Sequence, residues 1–198
     1  MVVAEAGKGY DVLFLGLDKP MNRVRPGTSS SEVESIFRGF ENPIALTVAR
    51  GKLLENPGAS LVRILVPVTG TDYSRLAAEV AIAIARASKC AVSALNIYKS
   101  PTSFDLLGAR SKDQFKTGRA VVRDIEALGE REGVTVQPLA VAGRDDGSAM
   151  LRQIKRGNYD LVVIGIKTRP VEGEGLFFGQ SAAILLDRSP CSLLVVRS

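Results

Sequence analysis

A candidate anion site is gathered near the end of the chain: an apolar run, Leu161-Val-Val-Ile-Gly165, then a loop holding Thr168, then Gly179-Gln-Ser181 opening an apolar helical stretch. A strand that ends in glycine and a helix that begins after one leave free backbone N–H groups at the helix N-terminus, and these suit a phosphate or another anion. The same glycines would serve a turn or close packing equally well, and the residues alone leave both readings open. Histidine is absent from all 198 residues, which removes the usual general base, zinc ligand and triad partner. Cys90 and Cys191 lie in apolar, strand-like stretches and read as small buried side chains rather than as a disulfide or a metal site. Binding, not turnover, is the chemistry expected.

The elements that must position these residues alternate regularly. Arg63 to Thr69 reads as a buried strand, with Pro67 near its end because proline cannot donate to a ladder. Gly70-Thr-Asp72 turns the chain into a helix over Ser74 to Ala87, with Thr71 or Asp72 as the N-cap. Cys90 to Tyr98 is the second strand, Lys99 to Ser111 a polar segment, and Gln114 to Glu132 the second helix, closed by Gly133. Val134 to Val141 forms a third strand, Gly143 to Gly147 a loop and Ser148 to Arg156 a third helix. Such alternation predicts an α/β fold: an open, doubly wound parallel five-stranded sheet with helices on both faces, Rossmann-like in plan. Ligands of these sheets bind outside the carboxyl ends of the strands. That rule places Pro67, Thr69, Ile97, Gly143, Ile164 and Gly165 along one edge, facing Thr168, Gly179, Gln180 and Ser181.

Composition narrows the class further. A hydrophobic content of 45% is enough for a proper core. No apolar run approaches the ~18 to 20 residues that span a bilayer, and the first residues, Met1 to Lys8, lack the layout of a signal peptide. A cytoplasmic location is expected. The formal charge of +5 is scattered among acidic neighbours, so it reads as solvated charge, and nucleic acid is not an expected partner.

An internal repeat organises the whole chain. Tyr10-Asp-Val-Leu-Phe-Leu-Gly-Leu17 matches Tyr159-Asp-Leu-Val-Val-Ile-Gly-Ile166 class for class, each soon followed by a proline, Pro20 or Pro170. Ser35 to Arg50 likewise parallels Ala182 to Arg197, with Pro43 on Pro190 and Arg50 on Arg197. Extended upstream, the match sets Met1 opposite Met150, in mid-helix. Residues 1–51 are therefore expected to be a truncated repeat, the tail of a second domain. Residues 52–60, with Asn56-Pro-Gly58, are the expected linker, and 61–198 the complete domain. The strand Ile44 to Ala49 is expected to pair with Cys191 to Val196, in the same chain or another, because an uncovered apolar edge invites pairing.

The opening Ile64-Leu-Val-Pro-Val-Thr-Gly70, the strand end Val163-Ile-Gly165 and the closing Ser189-Pro-Cys-Ser-Leu-Leu-Val-Val-Arg197 resemble the universal stress protein domain. The resemblance covers residues 61 to 198, and 1 to 51 resemble the last third of another copy. It implies an ATP-type loop of the form Gly, two residues, Gly, nine residues, then Gly-Ser or Gly-Thr, with an aspartate at the end of the first strand. This chain departs from that pattern: Gly165 fits, Thr168 replaces the second glycine, the interval to Gly179 is one residue longer, Gln180 precedes Ser181, and Thr69 stands in place of the aspartate. A Cβ at Thr168 and a lost acceptor at Thr69 imply a degenerate nucleotide-binding site. Its ligand is expected to be ATP, AMP or a cyclic dinucleotide, or none, and if one binds it does so in the second cassette alone.

Gly175 to Leu186 and Gly70 to Glu79 are similar to the stress-protein domains at the cytoplasmic C-terminus of monovalent cation/proton antiporters. The implied function is a non-catalytic regulatory domain attached to a membrane antiporter, forming a homodimer through its terminal strands. A free-standing ATP-binding stress protein is the alternative. The absent histidine and the altered loop argue against a third reading, an adenine-nucleotide hydrolase.

Overall fold

The computed structural model describes residues 12–17, 35–37, 39–40, 42–99, 109–171 and 175–197. Nine strands are formed among them: β1 (Leu13–Gly16), β2 (Ile44–Val48), β3 (Arg63–Pro67), β4 (Ala91–Lys99), β5 (Val136–Gly143), β6 (Leu161–Ile166), β7 (Arg169–Val171), β8 (Gly175–Phe177) and β9 (Ser192–Arg197). The helices are α1 (Lys52–Glu55), α2 (Asp72–Ser88), α3 (Ala109–Arg131), α4 (Asp146–Gly157) and α5 (Gln180–Arg188).

One sheet runs β1-β2-β9-β6-β3-β4-β5. Its β9-β6-β3-β4-β5 part is parallel throughout, as the alternation of strands and helices requires. These are the five parallel strands expected of residues 61–198, and the N-terminal segment brings the sheet to seven, because β2 adds to β9 antiparallel and β1 adds to β2 parallel. The edge of β9 is thus taken by a strand of the same chain. Pairing is regular along the seam, from Ile44 opposite Arg197 to Val48 opposite Leu193.

Burial on both faces explains why β3, β6 and β9 read as continuous apolar runs. In β3, Leu65 faces a core shared with Met150 of α4 and Leu185 of α5. Its neighbours Ile64 and Val66 face the opposite core, where α2 contributes Ala77, Ala78 and Ala81 and α3 contributes Val122 and Ile125. Pro67 pairs only with β4, while the β3–β6 ladder is confined to Ile64 and Leu65. The proline therefore sits beyond the end of the β6 pairing, as its missing donor demands.

Element ends shift by a few residues from the sequence reading. Gly133 does close α3 in the left-handed region, at φ +69, and Lys89 and Asn158 end α2 and α4 the same way. The loop expected after β6 contains the small β7–β8 hairpin, and the expected linker contains α1. Asp160 ties that stretch down, accepting from the backbone N–H groups of Val62 at 2.7 Å and Arg63 at 3.1 Å and pairing with Lys52 at 3.5 Å. Met1, Tyr10, Pro20 and the segment that matches the second loop lie outside the described residues. No helix among the described residues is long and apolar enough to cross a membrane.

Candidate functional site

The turn after β3 is held by side chains that the fold buries around it. Asn96, on β4, donates through Nδ2 to the carbonyl of Val68 at 2.8 Å. Room for that amide exists because residue 118 of α3 is glycine: a Cβ there would lie 3.0 Å from Asn96 Cγ. Ser74 then organises the turn from the first turn of α2. Its hydroxyl accepts from the backbone N–H groups of Thr69 and Thr71, each at 3.2 Å, and donates to the carbonyl of Thr71 at 2.8 Å. Gly70 takes φ +80, which glycine adopts without strain. The hydroxyls of Thr69 and Thr71 lie 3.0 Å apart.

Gly165 serves close packing. A Cβ on it would collide with the carbonyl oxygen of Tyr73 and lie 2.5 Å from the carbonyl carbon. The start of α2 can approach β6 only because residue 165 has no side chain, and this approach makes one wall of the cleft. Gly179 has a different reason. It is the N-cap of α5 at φ +90, with nothing within 4 Å of where a Cβ would stand. No side chain caps α5, its first turn carries no acidic residue, and its first ladder bond is Ala183 N–H to Gly179 O at 3.0 Å. The N–H groups before Ala183 therefore have no partner within the helix, and the helix dipole adds to their attraction for an anion.

Between these walls lies a cleft of about 560 Å³, within the usual range for a small-molecule site. Of the residues proposed from sequence, Pro67, Thr69, Ile164, Gly165, Gly179, Gln180 and Ser181 line it. Ile97, Gly143 and Thr168 do not. Ile97 and Gly143 are used on each other, since a Cβ at Gly143 would come within 2.8 Å of Ile97 Cγ2 and 2.9 Å of Ala149 Cβ. Thr168 is half-buried just before β7.

Other lining residues escaped the sequence reading. Tyr73 and Ser74 enter with α2, Asp146 and Met150 with α4, and Phe178 forms an apolar surface directly before the α5 cap. Helix α4 reaches the cleft by crossing α5 closely, where Gly147 leaves space for Ile184: a Cβ at 147 would be 3.1 Å from Ile184 Cβ. Nothing local in Gly143-Arg-Asp-Asp-Gly147 marks Asp146 as a cleft residue, although a carboxylate before a helix is an ordinary capping signal. Asp146 and Lys167 bring one charge of each sign. Apolar surface from Met150, Phe178 and Ile164, the hydroxyls of Thr69, Tyr73, Ser74 and Ser181 and an uncapped helix end together suit a flat apolar group joined to an anion. No group of three or more His, Cys, Asp or Glu residues that could hold a metal occurs among the described residues.

The family model described as "Universal stress protein family" matches residues 62–197. No curated protein matches in sequence. Among solved structures, the universal stress protein UspA from Lactobacillus plantarum superposes with a TM-score of 0.61 at 19% identity, over 71% of this chain and 100% of its own. A universal stress protein in complex with cAMP gives 0.54 at 18% identity, over 69% of this chain and 97% of that one. A longer universal stress protein from Archaeoglobus fulgidus DSM 4304 gives 0.64 at 16% identity, over 98% of this chain but 65% of its own.

Proposed function

Because the chain belongs to the universal stress protein family, we propose that it is a non-catalytic regulatory domain whose cleft is a weakened nucleotide site. One observation carries the reading: the uncapped N-terminus of α5 opens on the cleft at the carboxyl ends of β3 and β6, while Thr69 stands at the corner where the resemblance calls for a carboxylate. The helix end favours a phosphate. Thr69 offers only a hydroxyl, which is already 3.0 Å from that of Thr71. Asp146, on the α4 wall, is the carboxylate left to accept from a ribose or a base. One similar universal stress protein was solved in complex with cAMP, and this chain's ligand is proposed to be of the same chemical class: AMP, ATP or a cyclic nucleotide, a cyclic dinucleotide included.

Residues 1–51 are proposed to be the closing part of a second copy of the domain. The parallel pair β1–β2 mirrors the parallel pair β6–β9, and the longer Archaeoglobus fulgidus structure superposes on 98% of this chain. The resemblance of Gly70 to Glu79 and of Gly175 to Leu186 to antiporter-attached stress domains supports a regulatory role on the cytosolic side of a monovalent cation/proton antiporter. The chain is proposed to form a homodimer through terminal strands, with β1 as the pairing strand, since β9 is paired with β2.

Isothermal titration with ATP, AMP, cAMP and a cyclic dinucleotide tests the site. Binding weaker than micromolar, lost on Gly179→Arg, is the expected result. A micromolar constant for ATP would favour the free-standing ATP-binding stress protein instead, and silence at millimolar concentration of all four would refute the nucleotide reading.

A further inference from the structure

We infer that the N-terminal cassette sets the affinity of the cleft, with Phe37 as the positioning residue; this rests on the nucleotide reading above. Phe178 lines the cleft and directly precedes Gly179, yet it is only 2% exposed. The ring against it comes from the distant N-terminal segment: Phe37 and Phe178 have centroids 5.6 Å apart at an interplanar angle of 55°. Since α5 has no side-chain cap, the place where it begins is held by packing of the residue before it. That residue is Phe178.

Phe37 is itself fixed from the other side. The Arg197 guanidinium lies 5.3 Å from the centre of its ring and donates to the carbonyls of Phe37 at 2.8 Å, Phe40 at 2.6 Å and Asn42 at 3.1 Å. Arg197 is also the last residue of β9, paired opposite Ile44 of β2. The seam between β2 and β9, the Phe37 ring, the Phe178 ring and the α5 N-terminus thus form one continuous set of contacts. Two arrangements follow, cassette docked with Phe178 held, and cassette released with Phe178 free to shift. A ligand that needs the α5 N-terminus in place binds the docked form better, and by linkage it must strengthen the seam by the same factor. Whatever pulls on the N-terminal cassette would then be read at the cleft.

The test uses the full chain carrying Phe37→Ala or Phe37→Leu. Val122→Ala, at a site buried in the core on the other face of the sheet, serves as a control for general destabilisation. Hydrogen exchange is read at the Ala183 amide, which closes the first turn of α5, and ATP, AMP and cAMP are titrated. Phe37→Ala is expected to speed Ala183 exchange by about tenfold beyond the control and to weaken the nucleotide that binds by about fivefold or more, a typical size for coupled sites. Phe37→Leu should recover most of both. Added nucleotide should also slow exchange in β2 of the unaltered protein.

Ala183 exchange no faster in Phe37→Ala than in Val122→Ala would overturn the inference, as would unchanged nucleotide affinity in that variant. If no nucleotide binds the unaltered chain, the nucleotide reading fails, and the affinity claim with it. The exchange arm still reports whether Phe37 holds the start of α5, so the two failures are distinguishable.

Discussion

Arg50 and Arg197 reach in opposite directions across the β2–β9 seam to corresponding backbone carbonyls. The Arg50 guanidinium donates to the carbonyl of Ser189 at 3.0 Å, and that of Arg197 donates to the carbonyl of Asn42 at 3.1 Å. In the internal repeat Arg50 corresponds to Arg197 and Asn42 to Ser189, so the two contacts are the same contact made twice. Thr47 faces Leu194, its own counterpart in that alignment. The seam therefore has the geometry of a two-fold contact within one chain, and Arg50 places a cation at the C-terminal end of α5, where carbonyl oxygens concentrate.

Arg50→Ala and Arg197→Ala should each cost about 1–3 kcal/mol, the range for lost charge-assisted hydrogen bonds. The two sites flank Thr47 at opposite ends of the seam and share no partner, so the double variant should be additive within about 0.5 kcal/mol. Urea unfolding of the three variants checks this, and strong non-additivity would mean that the seam opens as one unit.

Gly165 and Gly16 hold corresponding positions in the repeat, yet they should respond oppositely to alanine. Gly165→Ala drives a Cβ into the Tyr73 carbonyl and should destabilise by about 3 kcal/mol or more. At Gly16 the nearest atom is Thr47 Oγ1 at 3.7 Å, an ordinary contact. Gly16→Ala should be neutral, or stabilising by about 0.5 kcal/mol through the unfolded chain, as thermal unfolding would report.

Ser74 is 3% exposed and makes three hydrogen bonds within the turn after β3. Ser74→Ala leaves the Thr69 and Thr71 N–H groups without that acceptor, at a cost of about 2 kcal/mol. Exchange at these two amides should accelerate before the rest of the sheet is affected. Ser74→Thr, which retains the hydroxyl, should recover part of the protection.

Thr69→Asp restores a carboxylate at the cleft corner. A charge-assisted hydrogen bond to a nucleotide donor should tighten ATP binding by about tenfold. Titration of the variant beside the unaltered chain decides it. An unchanged constant would place the ribose and base away from residue 69.

Asp145 caps α4, accepting from the Ser148 amide at 2.9 Å. Hydrogen bonds from the Ser148 hydroxyl and then from its amide hold the carboxyl below its ordinary value. A depressed folded-state pKa means a contribution that is present above the unfolded value and lost as the pH falls through the folded one. Asp145→Asn keeps the cap acceptor but cannot titrate. Its stability deficit should therefore be seen at neutral pH and shrink below about pH 4, the ordinary carboxylate range, in chemical unfolding followed across pH.

Much of the parallel core was legible in the residues alone. Period and punctuation placed β3, β4, β6, β9 and the helices between them to within a few residues, because parallel strands buried on both faces must be apolar throughout and must be joined by amphipathic crossovers. Gly165, Gly179 and Ser181 were marked for the cleft by local chain geometry, and the repeat was visible because both β1–β2 and β6–β9 answer to the same packing demand.

Legible in the residues alone were the order of elements, the resemblance to the family and the sheet edge at which the cleft opens. Only the folded chain shows that β2 closes the β9 edge within the chain, that Ile97 and Gly143 pack on each other instead of lining the cleft, and that Asp146 and Met150 line it while Phe37 packs against Phe178. The physical reason is reach: strand and helix periods report which face of an element is buried, whereas a contact such as Phe37 with Phe178 joins residues far apart in sequence, and no local pattern records it.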